Sequence, residues 1–266
     1  MIMARLLSGV AVATFTSTIS AGAQQAVRVG YAYANPPFSS LPGGTPANYA
    51  TLDPSGVMAQ GAAIDLIRAI AWDAGFDVQF VPMPVGDLIP ALLSKKVDAL
   101  ARVEIPGIAQ KVIALSDPID TDTDGLVVKK SDATPYASWA ELRGSVIGAV
   151  AGTAEVGPLA RSGLFPEVRT YASGSEMYQA ISSGEIDAGV SASAVGAGYL
   201  FAHAEYPNLQ LVESYKPQVA VVTAIAMRPD AADLLAKVDA SLARLRRSGA
   251  AEMIYATYGI GQYLAP

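Results

Sequence analysis

Ser94-Lys95-Lys96-Val97-Asp98-Ala99 is the stretch that decides the fold, because a matching stretch, Ser183-Gly184-Glu185-Ile186-Asp187-Ala188, follows in the second half of the chain. In each copy a helical pattern ends, and a strand begins with an aliphatic residue followed by aspartate and alanine. The copies stand at equivalent places in two runs of alternating patterns. The repeat therefore predicts two lobes of similar build.

Strand patterns alternate with helix patterns around both copies. In the first half, strands are predicted at 27–31, 77–81 and 97–103 and helices at 62–74 and 87–95, with Gly75 as a helix C-cap. In the second half, strands are predicted at 145–151, at 168–171 and from Ile186, and helices at 154–161 and after a cap at Ser175. This alternation favours parallel βαβ units and hence an α/β fold.

Two long extended runs, 125–130 and 219–227, predict two crossings between the lobes. A helical pattern at 230–248 is predicted to return to the first lobe. The division that follows assigns residues 24–124 and 225–266 to lobe I and residues 125–224 to lobe II. Two extended crossings predict a hinge with a ligand cleft between the lobes.

The first 23 residues have the three-part pattern of a secretory signal peptide. Arg5 supplies the positive charge, Leu6 to Ile19 form a mostly apolar stretch, and Ala21-Gly22-Ala23 is an A-x-A cleavage pattern. A membrane-spanning helix needs about 20 apolar residues, more than this stretch provides. We predict cleavage after Ala23 and a soluble monomer in the periplasm.

The composition excludes several classes of function. The 266 residues are 52% hydrophobic and 16% charged, which suits an ordered core. The net charge of −6 has the wrong sign for sequence-independent binding of nucleic acid. The chain has no cysteine and one histidine, which excludes disulfides, thiolate nucleophiles, iron–sulfur clusters and histidine-rich metal centres. No cofactor and no metal are therefore expected.

Seven motifs follow one another in an order that resembles a known family. They are Asn35-Pro36-Pro37-Phe38, residues 77–82, residues 88–98, Leu115-Ser116-Asp117-Pro118, residues 139–144, Ala151-Gly152-Thr153-Ala154-Glu155 and residues 184–188. Together they are similar to the periplasmic solute-binding proteins of polar amino-acid ABC transporters, bacterial extracellular solute-binding family 3. The similarity covers essentially the whole chain after residue 23.

The resemblance implies a two-lobed periplasmic-binding-protein fold that closes on a small solute. It implies a permease of an ABC transporter in the inner membrane as the partner that receives the solute. In such proteins an aromatic residue of the first-lobe motif stacks on the ligand. An arginine shortly before the S-D-P motif and the second-lobe G-T turn hold its carboxylate, and an aspartate after the second D-A step holds its amino group.

The sequence departs from this family pattern at both charged anchors. The arginine position falls on Ala109 or Gln110, and the aspartate position falls near Ala192, beside Ser191. Losing these groups removes charge-assisted hydrogen bonds of roughly 1.5–3 kcal/mol each. The ligand is therefore expected to be a small polar solute other than a standard α-amino acid.

Candidate ligand contacts lie where strands end, which is where clefts form in α/β folds. The turn of Gly152, Thr153 and Ala154 precedes a predicted helix whose N–H groups suit an anion; simple N-capping by Thr153 explains it too. Arg102 and Glu104 share one face of a strand end. Arg102 is predicted to replace the missing arginine and hold an acidic group, although a structural ion pair is the alternative.

Aromatic and amide side chains near the first strand complete the candidate site. Phe38 and Tyr33 are predicted to form an aromatic wall against the solute, and Asn35 to donate or accept beside it, unless Phe38 caps the core and Asn35 only shapes its turn. Ser191 is the candidate contact from the second lobe.

Other acidic and imidazole groups are predicted to lie outside the site. Asp120, Asp122 and Asp124 lack the offsets of a calcium-binding loop and are predicted to form a solvated acidic face, while Asp117 fixes a turn. His203 is predicted to be a surface histidine.

Two other functions compete with uptake of a solute. One is an enzyme on the same scaffold, similar to cyclohexadienyl dehydratase, in which buried Glu104 or Glu155 would act as the acid. The other is a ligand-sensing module of a receptor. No positioned acid–base pair is visible in the sequence, so a non-enzymatic binding protein is the leading hypothesis.

Overall fold

The computed structural model of the protein describes residues 26–41, 58–105 and 112–265. The predicted signal peptide, and the positions Ala109 and Gln110 where the family arginine is missing, lie outside these residues. The strands are β1 (Val27–Ala32), β2 (Ala34–Asn35), β3 (Ser39–Ser40), β4 (Val78–Met83), β5 (Ala99–Ile105), β6 (Ala114–Leu115), β7 (Asp120–Thr123), β8 (Gly125–Lys129), β9 (Val146–Val150), β10 (Glu167–Tyr171), β11 (Ala188–Ser191), β12 (Leu209–Leu211) and β13 (Ala220–Met227).

Helices cover the sheets that these strands form. They are α1 (Ala62–Ala74), α2 (Leu88–Leu93), α3 (Val156–Arg161), α4 (Gly174–Ser183), α5 (Ala194–Ala202), α6 (Ala232–Arg247) and α7 (Ala250–Thr257). Short 3₁₀ turns occur at Val85–Asp87, Trp139–Leu142 and Gly261–Tyr263. Within the described part of the chain, none of the helices has the length and apolar character needed to cross a membrane.

The first sheet is assembled from both ends of the described chain. Its strand order is β4-β1-β5-β13-β6, and β7 also pairs with β13. The pairs β1–β4 and β1–β5 are parallel, so their carboxyl ends lie at one edge, whereas β13 runs antiparallel to β5. Helices α1, α6 and α7 bury their apolar faces in one core against this sheet. This core and the first sheet together define the first lobe.

The second sheet has the order β10-β9-β11-β8-β12. Strands β9, β10 and β11 are parallel, and β8 and β12 pair antiparallel to their neighbours. Two apolar clusters, one built around Ile147 and Leu126 and one around Met177 and Ile181, cover its two faces. The second lobe therefore has its own core, and it comes from one continuous piece of chain.

Helix α1 shows why the sequence-based boundaries were close. Its apolar residues recur on one face, where Ile64, Ile67 and Ile70 are buried, and it ends at Gly75 in the left-handed conformation with φ 76°. A left-handed residue at this position costs little for glycine, which has no Cβ.

Strand β13 moves one predicted lobe boundary. Its residues from Ala220 onward pair with β7, and from Val222 onward with β5, in the first sheet. Residues 220–224 therefore belong to the first lobe, although the sequence analysis placed them in the second. The extended run 219–227 was predicted to be one crossing between the lobes, because its length and its β-branched residues do not show at which residue it begins to pair with the first sheet.

The predicted acidic face is wrong. Asp120, Asp122 and Asp124 are buried, with 0%, 4% and 0% of their surface exposed. They line the passage from β7 to β8, which joins the lobes, and each carboxylate accepts hydrogen bonds from the protein. Asp124 accepts from the hydroxyl of Tyr215 and from the N–H groups of Gln218 and Val219. The alternating aspartates therefore are buried hydrogen-bond acceptors and do not form a solvent-exposed face.

Candidate functional site

The carboxyl ends of the parallel strands in both lobes enclose one cavity of about 80 Å³. One water molecule takes roughly 10–15 Å³ on the same measure, so the cavity has room for roughly five to eight waters or a solute of that size. Of the predicted contacts, it is lined by Tyr33, Asn35, Arg102, Glu104, Thr153 and Ser191. Phe38, Gly152 and Ala154 are not among its lining residues.

Arg102 is the charged group at the centre of the site. It lies on β5, its side chain is 7% exposed, and its Nη2 atom is 2.8 Å from Asp120 Oδ1. The Nε–H donates to both carboxylate oxygens of Asp120, at 2.9 and 3.1 Å, and the Tyr255 hydroxyl donates to the same carboxylate at 2.9 Å. Burial would lower the pKa of Arg102, but the carboxylates of Asp120 and Asp122 raise it above its ordinary value.

The structural ion pair that the sequence offered as an alternative for Arg102 is thus present. Even so, Arg102 is among the residues that line the cavity. The residue therefore combines a structural role with a place in the cavity wall.

Phe38 lies against Arg102 and does not line the cavity. Its ring is fully buried, and the guanidinium carbon of Arg102 lies 3.9 Å from the ring centroid. A guanidinium over an aromatic face is attracted by the ring quadrupole, which fixes the plane of the arginine. The aromatic residues that line the cavity are Tyr33, one of the predicted solute contacts, and Tyr178, which was not among them.

Glu104 reaches across the cleft. It lines the cavity from β5, and its Oε2 atom accepts a hydrogen bond of 3.0 Å from the backbone N–H of Ala154 in the second lobe. Burial raises the pKa of Glu104, while the Ala154 N–H and the charge of Arg102 oppose that rise. The carboxylate is thus held in a desolvated position by one N–H and one nearby cation.

The second-lobe turn has used the donors that were predicted to hold an anion. The Thr153 hydroxyl donates to Val150 O at 2.8 Å, and the Thr153 N–H donates to the same carbonyl at 3.3 Å. The Ala154 N–H is taken by Glu104. Helix α3 begins at Val156, two residues later than predicted, and Thr153 is not its N-cap.

Gly152 shapes this turn because no other residue fits there easily. Its φ is +86°, and a Cβ at this position would lie 3.3 Å from the Cα of Gly86 in the first lobe. The backbones of the two lobes therefore approach closely at this point. Gly152 therefore allows the shape of this turn but does not itself line the cavity.

A chain of hydroxyl groups forms the second-lobe wall. The Tyr178 and Ser191 hydroxyls share a hydrogen bond of 2.9 Å, and the Ser191 hydroxyl also contacts Ser193 O. Ser193 caps helix α5 by accepting from Gly196 N–H, and its own hydroxyl donates to Asp122. Burial raises the pKa of Tyr178 to about 12, so its hydroxyl remains a donor at neutral pH.

Glu155 lies beside the site without lining it. It is fully buried, and neither of its carboxyl oxygens has a hydrogen-bond partner in good geometry, although the Thr153 hydroxyl and the Glu155 N–H lie near enough to oppose the rise of its pKa. Burial, followed by the nearby charge of Glu104, raises its pKa to about 7. An unbonded buried carboxyl group favours the neutral form.

The remaining predictions outside the site can be placed as well. The N–H of Asp117 donates to Asp239, consistent with a fixed turn, and His203 is exposed at the end of α5. Among the described residues, no three histidine, cysteine, aspartate or glutamate side chains converge so as to hold a metal ion.

Several lining residues were missed although their signal was present. They are Ala32, Ala34, Pro36, Met83, Pro84, Val85, Val150, Ala172, Ser173, Gly174, Tyr178, Ala192, Ser193, Gly196, Ala197 and Leu200. Most follow the carboxyl ends of β1, β4, β9, β10 and β11. Clefts of α/β folds lie at these strand ends, so position after a strand was the signal that pointed to these residues.

The cap of helix α4 was assigned to the wrong serine. Ser173, not Ser175, accepts from the N–H of Glu176. The spacing Ser173-Gly174-Ser175-Glu176 matches the S-x-x-E pattern of a capping box, which pointed to Ser173.

Comparisons with known proteins agree with this architecture. The chain is 27% identical over 233 residues to the histidine-binding periplasmic protein of Salmonella typhimurium (strain LT2), covering 81% of this chain and 85% of that protein. A histidine kinase sensor domain with similarity to periplasmic binding proteins superposes with a TM-score of 0.77 at 23% identity, covering 88% and 96% of the two chains. An ancestral amino acid-binding protein, a precursor of cyclohexadienyl dehydratase, gives 0.72 at 25% identity, covering 88% and 95%.

The family itself is identified along nearly the whole described chain. The sequence model of the bacterial extracellular solute-binding proteins, family 3, matches residues 27–262. The α/β fold with two lobes, predicted from the repeat and the alternating patterns, is confirmed by the two sheets and by the superpositions. With a cavity enclosed between its lobes and this match, the chain belongs to the bacterial extracellular solute-binding proteins, family 3.

Proposed function

We propose that this protein captures a small polar solute outside the cytoplasm and delivers it to the permease of an ABC uptake transporter. The observation that carries the proposal is the cavity of about 80 Å³ between the lobes, with the buried guanidinium of Arg102 and the partly buried carboxylate of Glu104 in its wall. Buried charges are costly unless they are paired, and a solute with complementary groups supplies such partners. The amino-acid-binding relatives support a solute of this general kind.

The solute is proposed to carry an acidic group that faces Arg102. Arg102 lines the cavity, and a guanidinium is a group suited to donating to a carboxylate oxygen. The second-lobe turn, whose Thr153 and Ala154 donors are already bonded, was expected to share this role and does not support it. In the closed arrangement, binding of the acidic group is therefore proposed to depend on Arg102.

A thermal-shift screen of the mature chain tests the proposed function. The panel contains amino acids, dicarboxylates, polyamines, opines and aromatic acids. A ligand at about 100 times its dissociation constant stabilises the folded state by roughly 2.7 kcal/mol, which is readily measured. Hits are then titrated by calorimetry. A panel without any stabilising solute, on protein that is folded by circular dichroism, would contradict the proposal.

Dehydratase chemistry is a second candidate, favoured by one observation. Glu104 lines the cavity with a raised pKa, as a general acid requires. Glu155, the other candidate acid, has a pKa of about 7 but does not line the cavity. Incubation with prephenate and an assay for phenylpyruvate separates the two functions, because a binding protein releases prephenate unchanged. The sensor-domain neighbour, at 23% identity, supports the fold alone.

A further inference from the structure

The lobes are closed on each other around the cavity. A Cβ on Gly196 of the second lobe would lie 2.9 Å from the Pro36 carbonyl oxygen of the first, and Gly152 and Gly86 approach one another in the same way. In the wall of the cavity, the bond from Ala154 N–H to Glu104 Oε2 joins a charged side chain of one lobe to the backbone of the other. It spans the cleft directly.

Glu104 occupies the place that an anionic group of a solute would need. A carboxylate that accepts from a backbone N–H forms a charge-assisted hydrogen bond, which is stronger than one between neutral groups. The Ala154 N–H makes that bond with Glu104, and the two neighbouring Thr153 donors are directed at Val150 O. A carboxylate of the solute placed here would find the Ala154 N–H already bonded, and the negative charge of Glu104 would repel it.

The local charge balance also disfavours a second acid. Arg102 is 2.8 Å from Asp120 and 3.8 Å from Asp122, so two buried carboxylates already face its single charge. Glu104 adds a third carboxylate on the same side of the cavity. An ammonium group of the solute would restore balance, because it attracts Glu104 and replaces the water that burial has removed.

We propose that Glu104 is a built-in anion that links the two lobes through the Ala154 N–H and selects solutes with an ammonium group at that end of the cavity. This inference deepens the proposed function and rests on it for the solute, but not for the contact between the lobes. Glu104 is thus a specificity-determining residue that also favours closure.

Small-angle scattering of the ligand-free protein tests the link between the lobes. Wild type is expected to have a smaller radius of gyration than Glu104→Ala, and Glu104→Gln, whose amide oxygen still accepts a hydrogen bond, should lie between them. The exposed Glu252 on α7 gives the matched control, Glu252→Ala, which should scatter as wild type does. Identical radii for wild type and both Glu104 variants, with folding confirmed by circular dichroism, would overturn this part of the proposal.

Calorimetry with three probes of one chain length tests the selection. Succinate, γ-aminobutyrate and putrescine have a four-carbon chain and carry two acids, one acid with one ammonium, and two ammonium groups. Wild type is expected to prefer γ-aminobutyrate over succinate by at least about tenfold, or about 1.4 kcal/mol. Glu104→Ala should reduce or reverse this preference, because it frees the Ala154 N–H and removes a like charge.

The outcomes separate the inference from the proposed function. Binding with an unchanged preference in Glu104→Ala and Glu104→Gln would show that Glu104 does not select the solute. Absence of binding by all three probes to every variant would count against a four-carbon solute with an ammonium group, and so against the selection. The scattering result would still decide whether Glu104 links the lobes.

Discussion

At the scale of single residues, Arg102 shows how one side chain serves both the core and the cavity. Its guanidinium lies on Phe38 and pairs with Asp120, and these contacts fix the orientation of the guanidinium beside the cavity. A strand position two residues before Glu104 was enough to predict that both lie on one face. The sequence did not show that Asp120 would pair with Arg102, because that contact depends on how β13 brings β5 and β7 together.

We predict that Arg102→Ala lowers the free energy of unfolding by about 3–5 kcal/mol, because it leaves the buried carboxylate of Asp120 without its cation. Urea denaturation followed by circular dichroism measures the loss. Arg28→Ala is the control, since the Arg28–Asp98 pair is partly exposed, with 34% and 27% of the side chains accessible, and should cost about 1 kcal/mol or less. Equal losses in the two variants would contradict a tightly held buried pair.

Glu155 predicts a specific dependence of stability on pH. The folded protein keeps this proton up to a pKa of about 7, whereas the unfolded chain releases it near the ordinary value of 4.5. Stability from this group is therefore full below about pH 4.5 and is lost as the pH rises to about 7. The loss is on the order of 3 kcal/mol.

Urea midpoints at pH 5 and pH 8 test this dependence in wild type and in Glu155→Gln. The variant should lose less stability over this range, because its neutral amide does not titrate. The exposed control Glu252→Gln should behave as wild type does. An identical pH profile for Glu155→Gln and wild type would show that Glu155 ionises in the folded protein with little loss of stability.

At the scale of elements, the helix caps combine local structure with the site. Ser173 and Ser193 both cap helices, and both line the cavity. Ser193 additionally donates to the buried Asp122, which lies on β7 in the first lobe. The cap of α5 is therefore also a contact between the lobes.

The two caps should respond differently to removal. Ser173→Ala is expected to cost about 1 kcal/mol, the usual value for a lost N-cap. Ser193→Ala should cost about 1–2 kcal/mol more, since the Asp122 carboxylate loses a donor while it remains buried. Urea denaturation of both variants measures the difference, and equal costs would mean that the bond to Asp122 contributes little.

The elements themselves were largely predictable, because hydrophobic periodicity records burial directly. Helix α1 was predicted at 62–74 and spans Ala62–Ala74, and the strand predicted at 27–31 spans Val27–Ala32. Predictions were poorer where a choice depended on distant partners. Ala220 joins the first sheet because β7 lies beside it, and Asp122 is buried because Ser193 reaches it from the other lobe. Neither fact is encoded in neighbouring residues.

At the scale of the whole molecule, closure depends on residues that have no side chain at the contact. Gly196 lies in α5 against the Pro36 carbonyl oxygen, and a Cβ there would also approach Ser193 Oγ at 2.9 Å. Gly198 lies in the same helix, but a Cβ there would meet only Leu211 at 3.6 Å, an ordinary contact distance. The two glycines thus differ in their relation both to the other lobe and to the Ser193 hydroxyl that caps the helix.

We predict that Gly196→Ala hinders closure, whereas Gly198→Ala does not. Both substitutions favour the helix, since alanine has the higher helix propensity by about 1 kcal/mol. Small-angle scattering with a solute identified in the screen should show contraction in wild type and Gly198→Ala and a reduced contraction in Gly196→Ala. Equal contraction in all three would mean that the second lobe shifts enough to accommodate the methyl group.

The position of β13 has a consequence for how the protein comes to be folded. This strand lies between β5 and β6 in the first sheet, yet it follows the entire second lobe in the chain. During vectorial synthesis or translocation, one edge of β5 therefore remains unpaired until Ala220–Met227 have emerged. The lobe that begins first is completed last. A nascent chain halted before Ala220 should accordingly contain a protease-resistant second lobe beside a first lobe that is still open to cleavage.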